Sequence, residues 1–95
     1  MPDFAPADDP DFDALRRHLR RLRENRGWTY DELAAHSGVG RATLVSLELG
    51  KPRTRGDREQ AATTGTLATW WRIASALQID LGDLLRPLYG TEDQH

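Results

Sequence analysis

The sequence predicts an all-α domain of five short helices. Three observations carry this. Apolar residues recur at steps of three and four in successive segments, the mark of a helix with one buried face. Threonine, aspartate or glycine stands where these segments begin or end, as helix caps do. No segment reads as a strand.

Residues 1–10 hold three prolines and three aspartates and read as a flexible acidic lead-in. Asp11 or Asp13 is placed to cap the first helix, since a carboxylate there accepts free backbone N–H groups and suits the positive helix end. Phe12, Leu15, Leu19 and Leu22 form one apolar stripe, with Arg16, Arg17, Arg20, Arg21 and Arg23 around it. Gly27 ends the helix in a left-handed conformation. Thr29 followed by Glu32 is a capping box that opens the second helix. Leu33 and Ala34 face inward, and Gly38 stops it. Val39 packs into the turn, Gly40 is the N-cap of the third helix, and Leu44 and Leu47 are its core residues.

Residues 51–64 break the pattern. Pro52 and Gly56 disfavour a helix in the first half, while 58–62 has the composition for an extra helical turn. Thr66 caps the fourth helix, whose inner face is Leu67, Trp70, Ile73, Ala74 and Leu77. Ile79 fills the next turn. Asp80 caps a last helix carrying Leu81, Leu84, Leu85 and Leu88, limited by Pro87. The expected organisation is a lead-in over 1–10, one domain over 11–88 interrupted by a basic insertion at 51–64, and a C-terminal tail over 89–95, frayed from Gly90 on.

The net charge of −2 conceals a segregation. Residues 1–13 hold five aspartates and no base; residues 80–95 hold four acids against Arg86. Residues 14–79 hold twelve Lys/Arg against six Asp/Glu, a net of +6. The expected folded part is basic and its ends acidic, which allows a phosphate-bearing partner. There is no cysteine, so no disulfide or thiolate metal site is expected. His18, His36 and His95 have no ligand spacing, and no metal is expected. Nothing in the first residues resembles a signal peptide, and no run reaches the roughly 18 apolar residues of a membrane helix, so a cytoplasmic location with no membrane contact is expected. No nucleophile–base pattern and no glycine-rich phosphate loop is found; the reading is not an enzyme and no cofactor is expected.

The stretch from Tyr30 to Gly50 is the most informative. Two short helices are joined by a tight glycine turn, and the second buries its leucines while Arg41, Ala42, Val45 and Ser46 are expected outside. Short side chains on an outer helix face let its backbone approach base edges in a major groove.

Leu19-Arg20-Arg21-Leu22-Arg23, Thr29-Tyr30-Asp31-Glu32-Leu33-Ala34, Gly38-Val39-Gly40-Arg41-Ala42-Thr43-Leu44 and Leu47-Glu48-Leu49-Gly50-Lys51 together resemble the Cro/repressor type of helix-turn-helix, the phage-repressor-like or XRE family. The likeness continues through Leu67–Leu77 and Leu81–Leu85 and covers about residues 14–86, less the insertion. It implies five helices and sequence-specific DNA binding, usually as a homodimer on a two-fold operator, by a transcriptional regulator read here as a repressor.

The resemblance implies base contacts from Arg41, Ala42, Val45 and Ser46. For Arg41 a phosphate contact or a solvated charge is the other reading. Phosphate contacts are expected from Thr29, Tyr30, Gly40 and Thr43, and from Lys51, Arg53 and Arg55 of the insertion. Tyr30 stands where the family often has Gln; a cap with a half-buried aromatic is its alternative. Arg23 and Glu48 match a family pair that forms a structural ion pair, although Arg23 can also face a phosphate. Gly40 and Leu49 replace a common hydroxyl residue and a common Asn, which lowers the expected affinity without changing the fold.

The family usually links the third and fourth helices in a few residues. Here fourteen separate Gly50 from Gly65, enough to span roughly 45–50 Å if extended. An arm along the DNA backbone or into a minor groove is one reading and a solvated loop the other. Trp71 is either a core-edge residue or the anchor of a dimer or other protein partner. The acidic N-terminus, with Phe4 and Phe12, is a second candidate for docking a protein or this chain's own basic face. The alternative function is a protein-interaction module of the same fold, such as an antitoxin that binds a partner protein.

Overall fold

Residues 9–50, 53–55, 58–60 and 64–90 are described in the computed structural model, the two three-residue pieces by their backbone. Five α-helices follow in order: α1 Phe12–Asn25, α2 Tyr30–Ser37, α3 Arg41–Leu49, α4 Leu67–Leu77 and α5 Leu81–Leu85. Between α3 and α4 lie two short strands, β1 Arg53–Arg55 and β2 Arg58–Gln60, and a 3₁₀ turn over Arg86–Tyr89 follows α5.

The cap residues set the helix starts. The Asp11 carboxylate accepts from the Ala14 N–H at 3.0 Å. Thr29 and Glu32 exchange both bonds of a capping box, at 2.9 and 3.1 Å. Thr66 accepts from Thr69 N at 3.1 Å and Asp80 from Gly82 N at 2.9 Å. Gly40 caps α3 without a side-chain bond. At the other ends, Gly38 and Gly50 adopt the left-handed conformation, with φ of 75° and 63°.

The inner faces meet in one core. Leu15 and Leu19 of α1, Leu33 of α2, Leu44 and Leu47 of α3, Ile73 and Leu77 of α4 and Leu84 of α5 are fully buried. Truncating any one of these to alanine costs about 2–5 kcal/mol, because the cavity only partly collapses. Ala14 and Pro87, neither expected inside, are buried as well. Both lie where α1 packs against the 3₁₀ turn, and there the Asp11 N–H bonds to the Leu88 carbonyl at 2.9 Å. Arg26 reaches across to the carbonyl of Leu77 at 2.5 Å and satisfies the C-terminal end of α4.

Three sequence expectations change. The residues expected to add a helical turn at 58–62 instead contribute β2, which pairs antiparallel with β1: Arg53 opposite Gln60, Thr54 opposite Glu59, Arg55 opposite Arg58. Only two residues, Gly56-Asp57, separate the strands, and that dipeptide is a hairpin signal in the sequence. The segment also lacks the apolar stripe that would hold a helix on the core. The last helix stops at Leu85, and Leu88 belongs to the 3₁₀ turn begun by Arg86. Pro87 is the reason, since a proline has no N–H to continue the α ladder. Leu67, expected on the inner face of α4, is 67% exposed; it is the first residue of the helix, three positions before Trp70, where burial on α4 begins. The lead-in over residues 1–8 and the tail from residue 91 lie outside the described residues.

Candidate nucleic-acid interface

The tight turn from α2 to α3 is built on Gly38, whose φ of 75° most other residues avoid, and on Val39, which is 7% exposed and joins the core. Ser37 Oγ accepts from the Val39 N–H at 3.1 Å. The turn presents the start of α3 outward. Arg41 and Ala42 are exposed. Val45 and Ser46, expected outside with them, are half-buried. On a helix of 100° per residue they adjoin Leu44 and Leu47, so packing against the neighbouring helices covers part of each. Thr43 is half-buried and Gly40 exposed. The open surface of α3 is thus its first turn, and at its far end Leu49, 51% exposed.

The far end of α3 is locked to α1 by a buried ion pair. Arg23 Nε donates to Glu48 Oε2 at 2.7 Å and Arg23 Nη2 to Oε1 at 3.2 Å. Both side chains are buried, and the geometry is the bidentate fork that guanidinium and carboxylate favour. Arg23 Nη1 also donates to the Trp28 carbonyl at 2.7 Å. The Glu48 hydrogen bond outweighs burial and holds Arg23 above its ordinary pKa, so it stays cationic.

Tyr30, the first residue of α2, completes the cluster. Its hydroxyl donates to Glu48 Oε1 at 3.1 Å, and its ring lies under the Arg23 guanidinium at 4.3 Å. Burial and the Glu48 charge raise its pKa. The hydroxyl proton is therefore committed to Glu48. What α2 presents outward at this end is backbone: the N–H groups of Tyr30 and Asp31 have no intrahelical acceptor, and Thr29 is exposed beside them.

Arg41 also belongs to this cluster. Its guanidinium lies 5.8 Å from the Tyr30 ring centre, and its Nε is 3.2 Å from Asp31 Oδ1. Sequence reasoning missed Asp31. It stands ten positions before Arg41 on a different helix, and only the crossing of α2 and α3 brings the two together.

The insertion leaves α3 at Gly50, over which the Arg16 side chain packs too closely for a Cβ. Paired positions of an antiparallel ribbon share a face, and faces alternate along each strand. Arginine therefore stands at positions 53, 55 and 58 of one face and Gln60 at the fourth, with Thr54 and Glu59 on the other. Lys51 lies outside the described residues. Trp71 is 60% exposed and Leu67, one turn earlier on α4, is exposed beside it.

A family model described as a helix-turn-helix domain matches residues 14–88. The chain belongs to this XRE-like helix-turn-helix family. It is 32% identical over 73 residues to the HTH-type transcriptional regulator SutR of Escherichia coli K12, a match covering 77% of this chain and 35% of that protein. Among solved structures it resembles an HTH_3 family transcriptional regulator from Vibrio cholerae, with a TM-score of 0.63 and 28% identity over 79% of this chain and 36% of the other. It also resembles the hypothetical transcription factor NHTF from Neisseria, with a TM-score of 0.62 and 26% identity over 84% of each chain. The chain thus spans about a third of the length of the curated relative. Among the described residues no helix is long and apolar enough to cross a membrane.

Proposed function

We propose that this chain is a cytoplasmic, sequence-specific DNA-binding transcriptional regulator, acting as a repressor, that places α3 in the major groove. The observation that carries the reading is the exposed first turn of α3, with Arg41 beside Ala42, on a helix whose other end is clamped by Arg23 and Glu48. A rigidly held helix with one long reader and a small neighbour suits close approach to base edges. Arg41 reads guanine and Ala42 meets a thymine methyl; Val45 and Ser46 supply their uncovered edges. The relatives' names, transcriptional regulators in both sequence and structure, support the same class.

Phosphates are held at the start of α2, by Thr29 and the N–H groups of Tyr30 and Asp31, and at the start of α3, by Gly40 and Thr43, where free amides and the helix dipole favour an anion. Lys51, Arg53 and Arg55 follow the DNA backbone. The ribbon adds Arg58 to the same face, since position 58 pairs with 55. Two copies bind a two-fold operator, each contributing one α3.

Selection of bound duplexes from random DNA, followed by Arg41→Ala, tests the proposal. Recovery of a two-fold sequence, with preference lost at one base pair per half-site in the variant, is the expected result. Failure to bind duplex DNA at any salt concentration overturns it.

The exposed Leu67 and Trp71, one turn apart on α4, favour a second reading: an apolar contact for a protein partner, as in an antitoxin of this fold. Trp71→Ala that abolishes partner capture and leaves operator binding intact supports it.

A further inference from the structure

The Arg41 guanidinium already has two neighbours before any partner arrives. Asp31 approaches its Nε side at 3.2 Å and the Tyr30 ring lies along it at 5.8 Å, while Tyr30 itself is fixed by Glu48. Both partners of the pair remain open to the surface, with Arg41 61% and Asp31 79% exposed. A carboxylate at the Nε side leaves the Nη1–Nη2 edge of the guanidinium open, and that edge can donate to guanine O6 and N7 together. The pair and a guanine are therefore compatible, and a side chain already restrained loses less freedom on binding.

Asp31 also places a negative charge beside Arg41. A phosphate oxygen drawn to Arg41 is repelled by that carboxylate far more than the acceptor edge of a neutral base, which carries only partial charges. Resting on the reading of Arg41 as a base-contacting residue, we propose that Asp31 is a specificity-determining positioning residue. It orients Arg41 to present its terminal edge to guanine and disfavours its diversion to the DNA backbone.

The test uses the full chain and the duplex recovered by selection, with every base pair varied in turn and affinities measured by fluorescence anisotropy at fixed salt. Asp31→Ala and Asp31→Asn are expected to lower the preference at the base pair read by Arg41 by about five- to tenfold, part of the discrimination an arginine–guanine contact supplies. Affinity for unrelated DNA stays the same or rises, and preferences at other positions persist. Asp31→Glu restores part of the lost preference. In an Arg41→Ala background, Asp31→Ala has no further effect on that base pair. An Asp31→Ala protein that keeps the full preference, or that loses preference equally with and without Arg41, overturns the proposal. Arg41→Ala that keeps every base preference instead overturns the underlying reading of Arg41. Asp31 is exposed, so the variants fold, and thermal melting checks this.

Discussion

The indole Nε1 of Trp70 donates a hydrogen bond of 2.8 Å to the carbonyl of Thr64. This bond fixes the point where the chain returns from the insertion to the core, and Gly65 makes it reachable. Gly65 has a φ of +80°, and a Cβ on it would lie 2.8 Å from that indole nitrogen and 3.0 Å from Leu47 Cδ2. The chain at Thr64 and Gly65 is thus held against Trp70 of α4 and Leu47 of α3.

Gly65→Ala should destabilise the domain by about 1–3 kcal/mol, from left-handed backbone strain together with the contacts on Trp70 and Leu47. Gly38→Ala is the control, because its φ is +75° but nothing lies within 4 Å of the added Cβ. Urea unfolding should show a lower midpoint for both at unchanged slope, with the larger drop for Gly65→Ala. Equal drops would mean that the close approach costs nothing.

Glu48→Ala should cost about 3–5 kcal/mol, since it leaves the buried Arg23 guanidinium unpaired. Replacing Arg23 and Glu48 together by apolar residues should cost less than the sum of the single changes, a coupling that a double-mutant cycle measures.

Tyr30 gives the stability a pH dependence on the alkaline side. Burial and the Glu48 charge raise its pKa above the ordinary value of 10.0, so the folded state keeps the phenol proton longer than the unfolded chain. The resulting stabilisation is complete below the unfolded value and is lost as pH rises through the folded one. Tyr30→Phe should therefore show a smaller loss of stability above about pH 10 than the parent chain. Thermal melts at a series of pH values would reveal a parallel decline if Tyr30 played no part.

By register the ribbon carries arginine at three of the four positions of one face, with position 55 paired to 58. Changing Arg53, Arg55 and Arg58 together to alanine should weaken DNA binding and reduce the slope of log affinity against log salt by up to about 0.9 for each phosphate contact removed. Changing Thr54 to alanine should leave the slope as it was. An unchanged slope in the triple variant rejects the ribbon as a DNA contact.

Much of this was legible in the residues themselves. Asp11, Thr29, Thr66 and Asp80 are local signals, and each caps the helix it announces because a cap needs only the three residues that follow it. The leucines of α1 and α3 give their inner faces by period alone. The Arg23–Glu48 pair joins residues 25 positions apart and was legible through family resemblance rather than spacing. The strands at 53–60 were not read, because three-residue strands have no period to detect and the Gly56-Asp57 step was the one sequence signal of their pairing.

Five helices, their caps and acidic ends around a basic middle follow from the amino-acid order alone, since these depend on neighbours along the chain and on composition. Tertiary structure decided how much of α3 is open, because burial of Val45 and Ser46 depends on the helices packed beside them. It also decided that the hydroxyl of Tyr30 serves Glu48 and that Asp31 lies against Arg41. Those contacts join side chains from separate helices, and distance between helices is set by the packed core.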